Sequence, residues 1–187
     1  MAFILILVSC KNGYSDIILI NLNDFFADPS VVIAPSGNCA TMYEDQNLIT
    51  VLLSNDPRLG DPGISAPSGL LTLNFNYSFT MGPDNQDNFY AKVFEGNTGN
   101  ILNQFLIEDS DSGLISWNLS SIAPGFLLGL EFQLNSYDFA YDSYVQINNV
   151  QMETAAAPVP EPSTIILLGS GLVGLIGIGR RRIIRFS

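Results

Sequence analysis

The sequence predicts an all-β protein, an antiparallel β-sandwich followed by a single C-terminal hydrophobic helix. Three observations carry that reading. Between the two ends of the chain, apolar residues alternate with polar ones rather than recurring at helical spacing. The segments separating the alternating runs are dense in Gly, Pro, Asn and Asp, the residues that set turn geometry. No helical pattern of useful length appears in the body, where Lys, Ala and Glu are scarce.

The clearest strand is "LLTLNFNYSFT" at 70–80, which puts Leu71, Leu73, Phe75, Tyr77 and Phe79 on one face and Thr72, Asn74, Asn76 and Ser78 on the other. Before it come "DIILINL" at 16–22, "CATMYED" at 39–45 and "LITVLLS" at 48–54. After it come "FYAKVFEG" at 89–96, "NQFLIED" at 103–109, "GLISWNL" at 113–119, "LGLEFQLN" at 128–135 and "SYVQINNVQME" at 143–153. The turn signals are "NDPRLGDPG", "MGPDNQDN", "EGNTGN" and "DSDSG". Short strands at this spacing make a sandwich. Trp117, between Ile115 and Leu119 on one strand face, is expected in its core.

Charge and composition exclude several functions. The 187 residues carry a formal charge of −11, and the two ends differ in sign. Residues 1–160 hold 17 acidic groups against Lys11, Arg58 and Lys92, a balance of −14, while Arg180, Arg181, Arg182 and Arg185 lie beyond. So acidic a body repels phosphate backbones, and no nucleic-acid partner is expected; cations or neutral sugars fit better. The absence of histidine removes Ser/His/Asp and Cys/His nucleophile pairs, His-ligated zinc and imidazole bases together. Of the two cysteines, Cys39 is left unpaired if Cys10 belongs to a removed leader, and it reads as a small buried hydrophobe.

Carboxylates and aromatic rings carry what chemistry remains. Oxygen-rich loops suit Ca²⁺, and the candidates are Asp84 and Asp87 in "DNQD", the run "EDSDSG" at 108–113, and Asp138 with Asp142. Glycoside hydrolysis would need two carboxyls across a cleft. Glu44 and Glu95 end strands beside turns, Glu108 lies in a turn-rich run, and the alternation of Leu130, Phe132 and Leu134 puts Glu131 on the opposite, wet face. Solvated acids of this kind predict no catalysis, so the chain is read as a non-enzyme. In "NSYDFAYDSY" at 135–144, Tyr137, Phe139, Tyr141 and Tyr144 interleave with Asp138 and Asp142, an arrangement that stacks on sugar rings and accepts their hydroxyls; two of these rings packing into the core is the alternative.

The ends divide the chain further. Residues 1–13 open with an apolar run from Ala2 to Val8 without a basic segment before it, which resembles the back half of a secretory signal; "LVSC" at 7–10 also resembles a lipobox. Residues 14–154 are assigned to the sandwich, 155–162 to an Ala/Pro-rich linker, 163–179 to a transmembrane helix and 180–187 to a basic cytoplasmic tail. The uncharged stretch from Thr164 to Gly179 would reach about 24 Å as a helix, marginal against a bilayer core of about 30 Å. Its glycines weaken a helix in water and are tolerated in lipid, and the arginines behind it hold the tail inside while the body faces outward.

Here "VPEPST" at 159–164, the glycine-rich apolar stretch and then "RRR" resemble the PEP-CTERM sorting signal of bacterial exported proteins, with Pro160, Glu161 and Pro162 as the triplet and Arg180, Arg181 and Arg182 as the basic end. The resemblance implies recognition by an exosortase in the cell-envelope membrane and cleavage near the triplet. It also implies a transient membrane stay, then delivery to the cell surface or an exopolysaccharide matrix. The prolines at 158, 160 and 162 favour an extended conformation that presents Glu161 to a protease. The layout of the body resembles the jelly-roll sandwiches of carbohydrate-binding modules, and "YVQINNVQME" resembles their closing strand. Asn148 stands where such strands carry an aspartate that can serve a structural calcium, a departure from the pattern the resemblance implies. The role expected is structural or carbohydrate-binding; a sandwich-fold glycoside-active enzyme and a permanently anchored surface protein are the alternatives.

Overall fold

The computed structural model describes residues 15–83, 86–137 and 141–155. Its strands are β1 (Asp16–Leu19), β2 (Phe26–Ala27), β3 (Val31–Ile33), β4 (Cys39–Tyr43), β5 (Thr50–Asn55), β6 (Ile64–Ser65), β7 (Leu70–Thr80), β8 (Asn88–Glu95), β9 (Ile101–Ile107), β10 (Asp111–Asn118), β11 (Leu127–Asn135) and β12 (Tyr144–Thr154). Two short 3₁₀ turns, Leu22–Asp24 and Pro57–Leu59, are the helical elements among the described residues. All nine expected strands are present within a few residues of their expected bounds. The additional β2, β3 and β6 are two or three residues long, too short for an alternation to register.

One antiparallel sheet runs β10-β7-β12-β4-β3, with β1 continuing the edge of β12 beyond β4; the other runs β2-β5-β11-β8-β9, with β6 continuing beyond β5 along β11. Taking the eight principal strands in chain order, from β4, the first sheet reads sixth, third, eighth, first and the second reads second, seventh, fourth, fifth. That is the connectivity of a jelly roll. It makes each sheet out of strands distant in sequence, so residues near both ends of the domain meet side by side.

The core lies between the sheets and is rich in aromatic rings. Phe75 of β7 packs edge-on against Trp117 of β10 at 5.2 Å between centroids, and across the sandwich against Phe132 of β11 at the same separation. Phe132 stacks in turn on Phe89 of β8. Trp117 is therefore a core residue, as its strand position implies.

Two β-bulges explain where the alternation misleads. Leu70 of β7 is buried and Leu71 exposed, because the pairing with β12 slips between Glu153 and Thr154 and turns Leu71 outward. In β12 the inward set changes phase, from Val145 and Ile147 to Val150 and Met152. One extra residue absorbs the change at Asn149, whose φ of 53° is a left-handed conformation that Asn tolerates better than most side chains. Cys39 is a free thiol, half-buried rather than part of the core, and burial pushes it above the ordinary thiol range.

Candidate functional site

Three strands run their inward rows off the same end of the sandwich, and each continues into a polar side chain. On β4 the inward series Ala40, Met42 leads to Glu44; on β8 the series Val93, Ala91, Phe89 leads back to Asp87; on β12 the series Ile147, Val145 leads back to Ser143, with Asp142 beside it. The period of two that buries a strand's apolar face also buries the next position past its end. Glu44, Asp87 and Ser143 are accordingly buried, Glu44 to 1% exposure.

The result is a carboxylate triad. Glu44, Asp87 and Asp142 each bring an oxygen within 4.8 Å of the others. Hydrogen bonds fix two of them. The Ser143 hydroxyl donates to Asp87 Oδ2 at 2.6 Å and accepts from the Gly82 N–H at 2.7 Å, while the Tyr137 N–H donates to Asp87 Oδ1 at 3.1 Å. Glu44 Oε2 accepts from the Asp142 N–H at 2.9 Å. Glu44 Oε1 and Asp142 Oδ1 are buried without a hydrogen-bond partner. Gly82 makes room for this arrangement, since a Cβ there would fall 1.8 Å from Asp142 Oδ1.

Such crowding has an electrostatic consequence. Burial first, and the facing Asp87 carboxyl second, push the Glu44 carboxyl up to about 7, against the pull of backbone N–H groups. Two facing acceptors form a hydrogen bond only when one is protonated, so the cluster relieves its repulsion by retaining a proton on Glu44 or by taking up a cation. Both ion pairs among the described residues, Arg58 with Asp56 and Lys92 with Glu131, are formed by other acids. The triad offers oxygen ligands only, which suits a hard divalent cation and not zinc.

Around this end stand exposed aromatic rings. Tyr137 and Tyr141 are 55% and 54% exposed, and Tyr144 is 40% exposed with its ring 6.1 Å from that of Tyr43. None of the three expected tyrosines is part of the core. Phe139, Asp84 and Asp138 lie outside the described residues, as do the sorting-signal residues Pro160, Glu161, Pro162, Arg180, Arg181 and Arg182 and the expected membrane helix at 163–179. No helix among the described residues is long and apolar enough to cross a membrane.

Several sequence expectations need correction. Glu44 is not a solvated strand end; it shares the inward phase of Ala40 and Met42, a signal present in "CATMYED". Glu131 does lie on the outer face, but it is 7% exposed and paired with Lys92 Nζ at 2.7 Å, where long neighbouring side chains cover it. Glu95 is half-buried and accepts hydrogen bonds from Thr98 and Asn100 within its turn, and Glu108 is exposed. Asn148 faces Cys39 and Asn76 across the sheet, in a row without a carboxylate.

Comparison with known proteins bears on the part of the chain beyond the sandwich. Residues 158–182 match the PEP-CTERM protein-sorting motif. The chain therefore carries a PEP-CTERM signal, which marks it for export. No curated protein sequence matches the chain. Among solved structures, the carbohydrate-binding module TmCBM61 in complex with beta-1,4-galactotriose is 15% identical, over 68% of this chain and 85% of that one, with a TM-score of 0.44. A structure described as "CBM4 structure and function" is 15% identical, over 68% and 90%, with a TM-score of 0.38. An arabinose-bound α-L-arabinofuranosidase is 15% identical, over 76% of this chain but 22% of its own, with a TM-score of 0.34.

Proposed function

We propose that this PEP-CTERM protein is an exported, non-catalytic component of the cell surface or extracellular matrix, released from the membrane by an exosortase and binding neutral glycan through the tyrosines at one end of its sandwich. The sorting motif at 158–182 is the observation that carries the export half of this reading. The membrane stay is transient: the uncharged stretch is short for a bilayer, the arginines orient it, and cleavage near Glu161 frees the body.

Exposed tyrosines support the glycan half. Tyr137, Tyr141 and Tyr144, with Tyr43 beside the last, present flat apolar rings with a polar tip, which match the C–H face and hydroxyls of a pyranose. The acidic body favours neutral polymers over acidic ones. Burial of the acid cluster supports a role without catalysis. Glu44 has the raised pKa of a general acid, yet at 1% exposure it meets no substrate, and its neighbours are too close to straddle a glycosidic bond. The cation expected beside the tyrosines is Ca²⁺.

Mass spectrometry of the protein recovered from cells with and without exosortase tests the export half. The expected mature form ends near Glu161 in the first and retains residues 163–187 in the second. Retention of the tail in both would make the protein a permanent membrane resident.

A further inference from the structure

We propose that Glu44, Asp87 and Asp142 form a single calcium site, ahead of β12 rather than within it, that fastens the loop entering β12 to the ends of β4 and β8. The role given to the ion rests on the glycan reading above; its binding does not.

The geometry suits the ion. Oxygens bound to calcium at about 2.4 Å lie no more than about 4.8 Å apart, the limit within which the three carboxylate oxygens fall. More telling than proximity is the state of the oxygens. Glu44 Oε1 and Asp142 Oδ1 are shut from solvent and accept nothing from the protein, whereas the buried carboxylates outside the triad among the described residues, Asp56 and Glu131, are ion-paired. A buried, unpartnered carboxylate oxygen costs free energy unless a cation meets it.

Asp87 is prepared differently. Its two oxygens accept one hydrogen bond each, from Ser143 and from the Tyr137 N–H, which orients the carboxylate and leaves lone pairs for a metal. Gly82 then removes the Cβ that would displace Asp142. Ligands supplied by three separate chain segments form the adaptable cage that calcium accepts and that the smaller, more rigidly octahedral magnesium does not. Tyr137 and Tyr141 lie next to the groups so held, Tyr137 through its own N–H to Asp87 and Tyr141 as the neighbour of Asp142 in sequence. Calcium in the triad therefore sets the position of both rings.

The test is calcium titration calorimetry on the full-length protein after chelation and desalting, with magnesium in parallel. One calcium site is expected, with weaker magnesium binding and a rise in thermal stability on saturation. Glu44→Gln and Asp142→Asn each weaken calcium by at least about tenfold. Gly82→Ala, which keeps every ligand, weakens it likewise and serves as the test if a carboxylate variant does not fold. No calcium heat and no thermal shift would overturn the site, as would Glu44→Gln or Gly82→Ala binding calcium like the parent, and magnesium binding equal to calcium would overturn the assignment of the ion. Loss of glycan binding on chelation supports the fastening role, whereas glycan binding unchanged by EDTA removes it. Calcium binding without glycan binding in any condition leaves the site standing and removes the glycan reading.

Discussion

Tyr77 shows how much one polar atom can be asked to do inside an aromatic layer. Its ring lies stacked by Phe89 and tilted against Phe105, while its hydroxyl reaches the edge of the sandwich and donates to Asp111 Oδ2 at 2.8 Å. Burial foremost, and then the hydrogen bond and charge of Asp111, push its pKa from 10.0 up to about 12. The native state thus holds the phenolic proton more tightly than the unfolded chain does. This contribution to stability is complete below pH 10 and is lost as pH rises through the interval toward 12. Urea unfolding across that interval should show a steep fall that Tyr77→Phe abolishes, at a cost near neutral pH of about 1 kcal/mol for the lost bond. An equally steep fall in the variant would assign the alkaline loss to other groups. Glu44 teaches the complementary point. Its burial was legible in the phase of Ala40 and Met42, but a charged residue beside a turn reads as solvated unless the row is followed one position past the strand.

At the scale of elements, strand existence was readable because β7, β8, β11 and β12 are long enough to repeat the alternation several times. What the pattern hid was phase. Leu71 looks like the first member of the inward row of β7, and only the slip against β12 makes Leu70 the buried one. The two-residue β2 and β6 owe their strand conformation to pairing with β5 and β11 rather than to any pattern of their own. The sheets are joined through Phe132, which touches Phe75 of the opposite sheet and Phe89 of its neighbour strand. Phe132→Ala should destabilise by about 3–5 kcal/mol, read as a lower urea midpoint with an unchanged slope. A cost under about 1 kcal/mol would mean that the layer closes around the gap and that the rings do not interlock.

For the whole molecule, the jelly-roll order explains why the acid triad was only half visible beforehand. Asp87 and Asp142 were candidate calcium ligands from composition, but their joining with Glu44 requires that β4, β8 and β12 end at one place. The Asp142 N–H and Glu44 are 98 positions apart in the chain. Connectivity of that range leaves no trace in local periodicity. By contrast the sorting motif was legible in full, since it is a contiguous pattern read by another protein and not a product of folding. The chain thus combines a sorting motif with a sandwich that exposes Tyr137, Tyr141 and Tyr144 at one end, the surface proposed above to meet glycan. The most direct test of that account is a glycan array probed in calcium with the full-length protein and with its Tyr137→Ala/Tyr141→Ala/Tyr144→Ala variant. The account predicts binding to neutral glycans that the variant loses while keeping its unfolding midpoint. Equal binding by both proteins, or none by the parent, would contradict it.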